Sequence, residues 1–201
     1  RKGKTLKFYT PKEFFGPSNK EMRERAQFLG GEYEEPSAEV LTTRAALTGG
    51  YLQGPVMLIL CGVQGSGKST FCERLLEENA NRWVHLAQDT INGGKSGKRE
   101  KVEEAAKEAL QKNKSVVIDR MNLDETQRSY FLEVTKSAGV PAHAVALLPE
   151  KDVVLKRVRE RDNHPGGVEG EKGVKIAARS KLEMPKYSEG FALISAVGTV
   201  E

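Results

Sequence analysis

The stretch Leu58 to Thr70, Leu-Ile-Leu-Cys-Gly-Val-Gln-Gly-Ser-Gly-Lys-Ser-Thr, constrains the fold more than any other part of the chain. An apolar run ends in a glycine-rich turn, and the turn runs into a helix-compatible segment. Gly62, Gly67, Lys68 and Ser69 fit G-x-x-x-x-G-K-[ST], the spacing of a phosphate-binding loop. The chemistry explains the spacing. Side chains would block close approach of the backbone to a triphosphate, so Gly62, Gly65 and Gly67 leave the N–H groups free to point inward. The following helix directs its positive end at the same phosphates. Lys68 reaches the β- and γ-phosphates, and the Ser69 hydroxyl ligates Mg2+. The expected nucleotide cradle is therefore the whole loop: Gly62, Val63, Gln64, Gly65, Ser66, Gly67, Lys68, Ser69 and Thr70.

With 201 residues, the chain has room for one α/β domain and an appendage. At 38% hydrophobic and 30% charged residues it can bury a core in water. A net charge of +4 permits a polyanionic partner without demanding one. The two cysteines make no disulfide framework: Cys61 ends the strand entering the loop and Cys72 lies in the helix leaving it, both as small apolar groups. The longest apolar run, around Val56 to Cys61, is too short to span a bilayer, so no membrane partner is expected. The chain starts at Arg1 with no charged-then-apolar leader. It reads as a piece of a larger intracellular protein, nuclear or cytoplasmic, with adjoining domains.

Residues 1–54 read as a basic, partly helical extension. Phe8, Tyr9, Phe14 and Phe15 interleave with basic residues up to Pro17, a pattern of either a strand-tracking arm or a solvated arm whose rings pack on the domain. A capping box at Ser18 to Glu21 opens one short helix, ended by Gly30 and Gly31. Ser37 opens another, ended by Gly49 and Gly50.

From Pro55 the pattern alternates strand and helix. Strands are expected at Val56–Cys61, Trp83–Ala87, Ser115–Asp119, Ala142–Leu148 and Phe191–Val197. Helices are expected from Lys68 to about Asn79, Lys98 to Gln111, Asp124 to Ser137, Lys151 to about Arg161, and from the glycine-rich loop 164–173 to Met184. Such alternation gives a five-stranded parallel sheet with right-handed crossovers, an α/β P-loop fold of the adenylate-kinase type. Its site lies at the carboxyl ends of the strands.

The strand ends are where chemistry is sought. Asp89, after the second strand, faces the loop as a general base for an attacking hydroxyl, or else caps a turn or reaches Mg2+ through water. Asp119, ending the third strand, has the Walker-B position; it suits a water-mediated Mg2+ contact or the anchoring of a lid arginine better than proton abstraction. Arg157 and Arg161 share a helical face before the glycine-rich loop and suit a lid over a triphosphate, against the alternative of a solvated basic face. Arg159 points elsewhere. Lys95, Lys98 and Arg99 follow Asn92-Gly93-Gly94 and either hold an acceptor phosphate or lie in solvent. His85 and His143 read as packed polar groups inside strands. His164 begins the lid, and no Cys/His spacing supports zinc.

Together the loop Gly62 to Phe71, then Gln88-Asp89-Thr90, then Val117-Ile-Asp-Arg-Met-Asn-Leu-Asp-Glu-Thr-Gln-Arg128 resemble the P-loop polynucleotide kinase family. Within it, the chain looks most similar to kinase-like modules fused to aprataxin-type domains. The resemblance covers roughly Pro55 to Val197 and implies a kinase domain over 55–201. It implies ATP-dependent transfer of the γ-phosphoryl group, with Mg2+, to a 5′-hydroxyl of DNA or RNA, in nucleic-acid repair or processing. By position, Lys68 and Ser69 would serve the phosphates and metal, Asp89 the base role, and Arg157 and Arg161 the donor clamp. Asp89, Asn92, Lys95, Arg120, Asn122 and Arg128 would face the acceptor. The sequence departs from the family at Asn92, where better-known members carry an arginine for the acceptor's 3′-phosphate. A small-metabolite kinase and a non-catalytic nucleotide-binding adaptor are the competing readings.

Overall fold

The computed structural model of the chain describes residues 54–160 and 170–198. The arm and two helices expected before Gly54 lie outside the described residues, as do Arg161 and His164 of the lid.

Five parallel strands form one sheet in the order β2-β3-β1-β4-β5: β1 (Met57–Cys61), β2 (Trp83–Ala87), β3 (Ser115–Asp119), β4 (Ala142–Leu148) and β5 (Leu193–Gly198). β1 is central and buried at every position, which is why its sequence is an unbroken apolar run rather than an alternating one. The helices are α1 (Lys68–Asn79), α2 (Arg99–Gln111), α3 (Glu125–Ala138), α4 (Lys151–Arg159) and α5 (Gly170–Arg179), with a 3-10 turn at Tyr187–Glu189.

Because side chains alternate across a strand, each strand feeds two cores. Met57, Ile59 and Cys61 join Val116, Ile118 and Ala144, and α2 and α3 cover them with Val102, Ala106, Phe131 and Val134. Leu58 and Leu60 point the other way, to Val117, Val145, Trp83 and Cys72 of α1. α4 and α5 make a smaller third cluster from Val154, Val158 and Ala177.

The strand and helix bounds follow the expected ones closely, because the punctuating residues act locally. Asp124 caps α3, its side chain accepting from the Gln127 N–H at 2.7 Å, and Gly139 ends the helix at φ 65°. Two helices end early. α4 stops at Arg159, two residues before the expected end. α5 stops at Arg179, although the apolar pattern runs on to Met184. Tertiary bonds account for the second difference: the Glu183 N–H donates to the Leu123 carbonyl at 2.7 Å, and the Glu183 carbonyl accepts from Arg128 at 2.9 Å. Backbone groups committed to another segment cannot also close helical turns, and Met184 is delivered to the main core instead.

This order places the carboxyl ends of β1, β3 and β2 side by side. The Gly62–Lys68 loop, Asp119 and the Asp89 turn therefore open on one edge of the sheet.

Candidate active site

The loop after β1 is held in shape from two sides. The Gly62 N–H donates to the Met121 carbonyl at 2.8 Å. Gly65 and Gly67 adopt φ of 82° and 98°, a region where any side chain is strained. A Cβ on Gly65 would also lie 2.6 Å from Val158 and 3.0 Å from the Val154 carbonyl, so α4 packs directly on the loop. Gly67 is the N-cap of α1 and supplies no side-chain cap bond. The first N–H groups of α1 thus meet no capping side chain at Gly67 and face the loop.

Lys68 is buried, and its ammonium donates to the carbonyls of Gly62 at 3.0 Å and Val63 at 2.9 Å. A cation is thus stored at the centre of a loop lined with N–H groups, an arrangement that fits a polyphosphate. Asp119 ends β3 next to it. Burial would raise its pKa, but hydrogen bonds from His85 and Ser69 and the Lys68 charge hold the carboxyl below its usual range. An ionised carboxylate bonded to the Ser69 hydroxyl fits the outer sphere of Mg2+, with Ser69 as the direct ligand.

Arg157 is exposed on α4, and its Nη1 lies 3.7 Å from the point a Cβ on Gly67 would occupy. Of the two arginines expected in a lid, Arg157 therefore stands at the phosphate loop. Arg159, on another face, is exposed without that approach. Arg161 lies outside the described residues, so the pairing expected of it with Arg157 rests on sequence alone.

Asp89 is half-buried in the turn after β2. The segment behind it closes on itself: the Gly97 N–H donates to the Gln88 carbonyl at 2.9 Å, and Asn92 and Lys95 exchange backbone bonds at 3.0 and 3.3 Å. Asn92 and Lys95 sit on its exposed tip, where the Asn92 amide oxygen accepts from Lys101 at 2.9 Å. Sequence reasoning does not single out Lys101, because it lies nine residues on, inside α2. Arg99 is held by Glu103 at 2.6 Å and Glu100 at 3.0 Å and lies 3.5 Å over the Tyr130 ring, so its charge is largely spent within the fold.

Arg120, one of the residues expected to face an acceptor, has one guanidinium nitrogen unpaired among the described residues. It is half-buried over Phe131 and shares a field with Asp89, Arg99, Glu100 and Glu103, and its Nη1 is buried with no hydrogen-bond partner among the described residues. Burial, then repulsion from Arg99, lowers its pKa from the usual arginine value.

Two expected acceptor contacts are corrected. Arg128 is fully buried, and its Nε and Nη2 donate to both carboxylate oxygens of Glu189 at 2.7 and 2.8 Å. It ties α3 to the 3-10 turn and has no surface to offer a substrate. Asn122, 1% exposed and at φ 45°, donates from Nδ2 to the Leu60 carbonyl at 2.7 Å. It braces the end of β1 beneath the phosphate loop. Sequence patterns give no sign of either partner, which lie 61 and 62 residues away along the chain.

Among the described residues no helix is long and apolar enough to cross a membrane. A family model described as an AAA domain matches residues 57–181, well over half of the chain. Among curated relatives, the transcription factor bHLH140 of Arabidopsis thaliana is 35% identical over 144 residues, covering 69% of this chain and 15% of that protein. A putative bifunctional polynucleotide phosphatase/kinase of Acanthamoeba polyphaga mimivirus is 25% identical over 197 residues, covering 96% of this chain and 45% of that protein. The chain thus spans less than half the length of either. A crystal structure of a fungal RNA kinase superposes with a TM-score of 0.57 at 16% identity, covering 73% of this chain and 39% of that one, a likeness of fold. Phosphate loop, sheet order and family match agree: the chain belongs to the AAA-domain family, on a P-loop fold.

Proposed function

We propose that the chain is an ATP-dependent, Mg2+-requiring kinase of 5′-hydroxyl ends in DNA or RNA, serving repair or processing within a longer protein. The observation that carries this reading is the row of strand ends. A phosphate loop, a metal-type carboxylate and a second carboxylate follow β1, β3 and β2 in spatial order, and Arg157 approaches from the opposite side. A site that only bound nucleotide would have no need of a general base, the role Asp89 fills in this reading.

In this reading Asp89 takes the proton of the 5′-hydroxyl as its oxygen bonds to the γ-phosphorus. The bond from that phosphorus to the β,γ-bridging oxygen breaks in line, and ADP leaves. Lys68 exchanges the Gly62 and Val63 carbonyls for phosphate oxygens, and Arg157, with Arg161, stabilises charge on the moving phosphoryl group. Ser69, and Asp119 through water, are the groups that would hold Mg2+, which supplies charge neutralisation across the β- and γ-phosphates. Arg120 faces the acceptor, with Asn92 and Lys95 at the rim. The choice of a nucleic-acid end is supported by the relative named as a polynucleotide phosphatase/kinase.

The test is transfer of labelled phosphate from ATP to a 5′-hydroxyl oligonucleotide by the wild-type chain and by Asp89→Asn. Loss of about 100-fold or more in kcat with ATP binding intact supports the reading. Normal oligonucleotide binding without labelling would identify an adaptor, and turnover of a small alcohol unaffected by oligonucleotide would identify a metabolite kinase.

A further inference from the structure

The sheet face under α1 carries a cluster that the phosphate chemistry only partly uses. The Cys72 sulfur, a ring nitrogen of His85 and a carboxylate oxygen of Asp119 all lie within 4.8 Å of one another. The fold brings them together for a simple reason. Trp83 and Val117 point toward α1, and two residues further along each strand so do His85 and Asp119. Cys72, one turn into α1, packs over the same face. His85 Nε2 and Asp119 Oδ2 are already 3.2 Å apart.

Nucleotide binding uses Asp119, with His85 as its hydrogen-bond partner, but has no use for the Cys72 thiol. A thiolate sulfur, an imidazole nitrogen and a carboxylate oxygen make a donor set that suits Zn2+ and that Mg2+, which prefers oxygen, does not favour. Bonds of about 2.0–2.3 Å to a tetrahedral ion put its donors roughly 3.5 Å apart, so the cluster closes with small side-chain rotations. Cys72 is fully buried and the Asp119 side chain is 8% exposed, whereas that of His85 is 28% exposed. An ion can enter past His85, and water can take the fourth position.

We propose that Cys72, His85 and Asp119 form a site for one borderline divalent ion, best fitted by Zn2+, whose occupation inhibits the enzyme. As the sulfur–metal bond forms, the thiol proton leaves to solvent. Direct coordination draws charge from the Asp119 carboxylate into the metal bond, weakening its bond to the Ser69 hydroxyl and its outer-sphere support for Mg2+. Only the inhibitory consequence rests on the kinase reading; ion binding does not.

Co2+ titration of the purified chain tests the site. One equivalent is expected to give the visible bands of tetrahedral cobalt with a near-ultraviolet thiolate band, and Zn2+ is expected to displace it. Cys72→Ser is expected to lose the thiolate band and bind Zn2+ at least about tenfold more weakly, while still folding and binding ATP, with a lower melting temperature from the buried hydroxyl. His85→Gln is expected to weaken binding as well. Absence of the thiolate band, or its persistence in Cys72→Ser, would overturn the site. Zn2+ that binds here yet leaves phosphoryl transfer unchanged overturns the inhibition. A thiolate band in a chain that phosphorylates no acceptor leaves the site standing and removes the kinase reading instead.

Discussion

Arg128 and Glu189 form a two-pronged ion pair inside the protein, with bonds of 2.7 and 2.8 Å and side chains 0% and 2% exposed. The pair joins α3 to the turn that precedes β5, and Arg128 also bonds the carbonyls of Asn122 and Glu183. Removing one partner leaves a buried charge uncompensated. Glu189→Ala is expected to cost about 3–5 kcal/mol of stability in urea denaturation. A variant as stable as the parent would show that the pair does not organise the C-terminal segment.

Gly65 should tolerate no side chain. At φ 82°, with Val158 2.6 Å from the place a Cβ would take, Gly65→Ala must strain the loop or push α4 away. A penalty of about 1–3 kcal/mol is expected for the backbone conformation alone. Weaker ATP binding in calorimetry, with the fold retained, is the expected readout.

Arg157 and Arg159 are two residues apart and should behave differently. Only Arg157 approaches Gly67. Arg157→Ala is expected to lower kcat by about 100-fold, as loss of one charge-stabilising donor does, and Arg159→Ala to leave it unchanged. Equal losses in steady-state kinetics would sink the assignment of a single lid arginine in the described region.

His143 makes stability depend on pH. It lies on β4 between Leu58 and Leu193, and burial pushes its pKa down to about 4 from 6.5. The unfolded chain therefore binds the extra proton first as pH falls. The contribution is full above about pH 6.5 and is lost progressively down to about pH 4, a total of about 3 kcal/mol at 1.36 kcal/mol per unit. Urea denaturation at pH 7 and pH 5 should show the drop, and His143→Leu should reduce it.

Much of this molecule is legible without coordinates. Glycine spacing fixes the phosphate loop, and Asp124 and Gly139 bracket α3, since caps and turns are properties of neighbouring residues. Alternation of strand and helix leaves few topologies besides a parallel sheet. The same local logic misplaces Arg128 and Asn122. Both stand in a motif beside the site, yet their partners, Glu189 and Leu60, are reached only when the chain closes on itself.

What the sequence by itself determines is therefore the phosphate loop, the strands that carry it and the acids at their ends, because each follows from spacing within a few residues. Tertiary structure alone decides which of the nearby polar groups serve the fold and which stay free for chemistry. It pairs His85 with Asp119 across 34 residues, commits Arg128 to Glu189, ends α5 at Arg179 and leaves Arg120 with an unspent donor. The physical reason is that a buried polar group must find its partner in three dimensions, and no periodicity along the chain records where that partner lies.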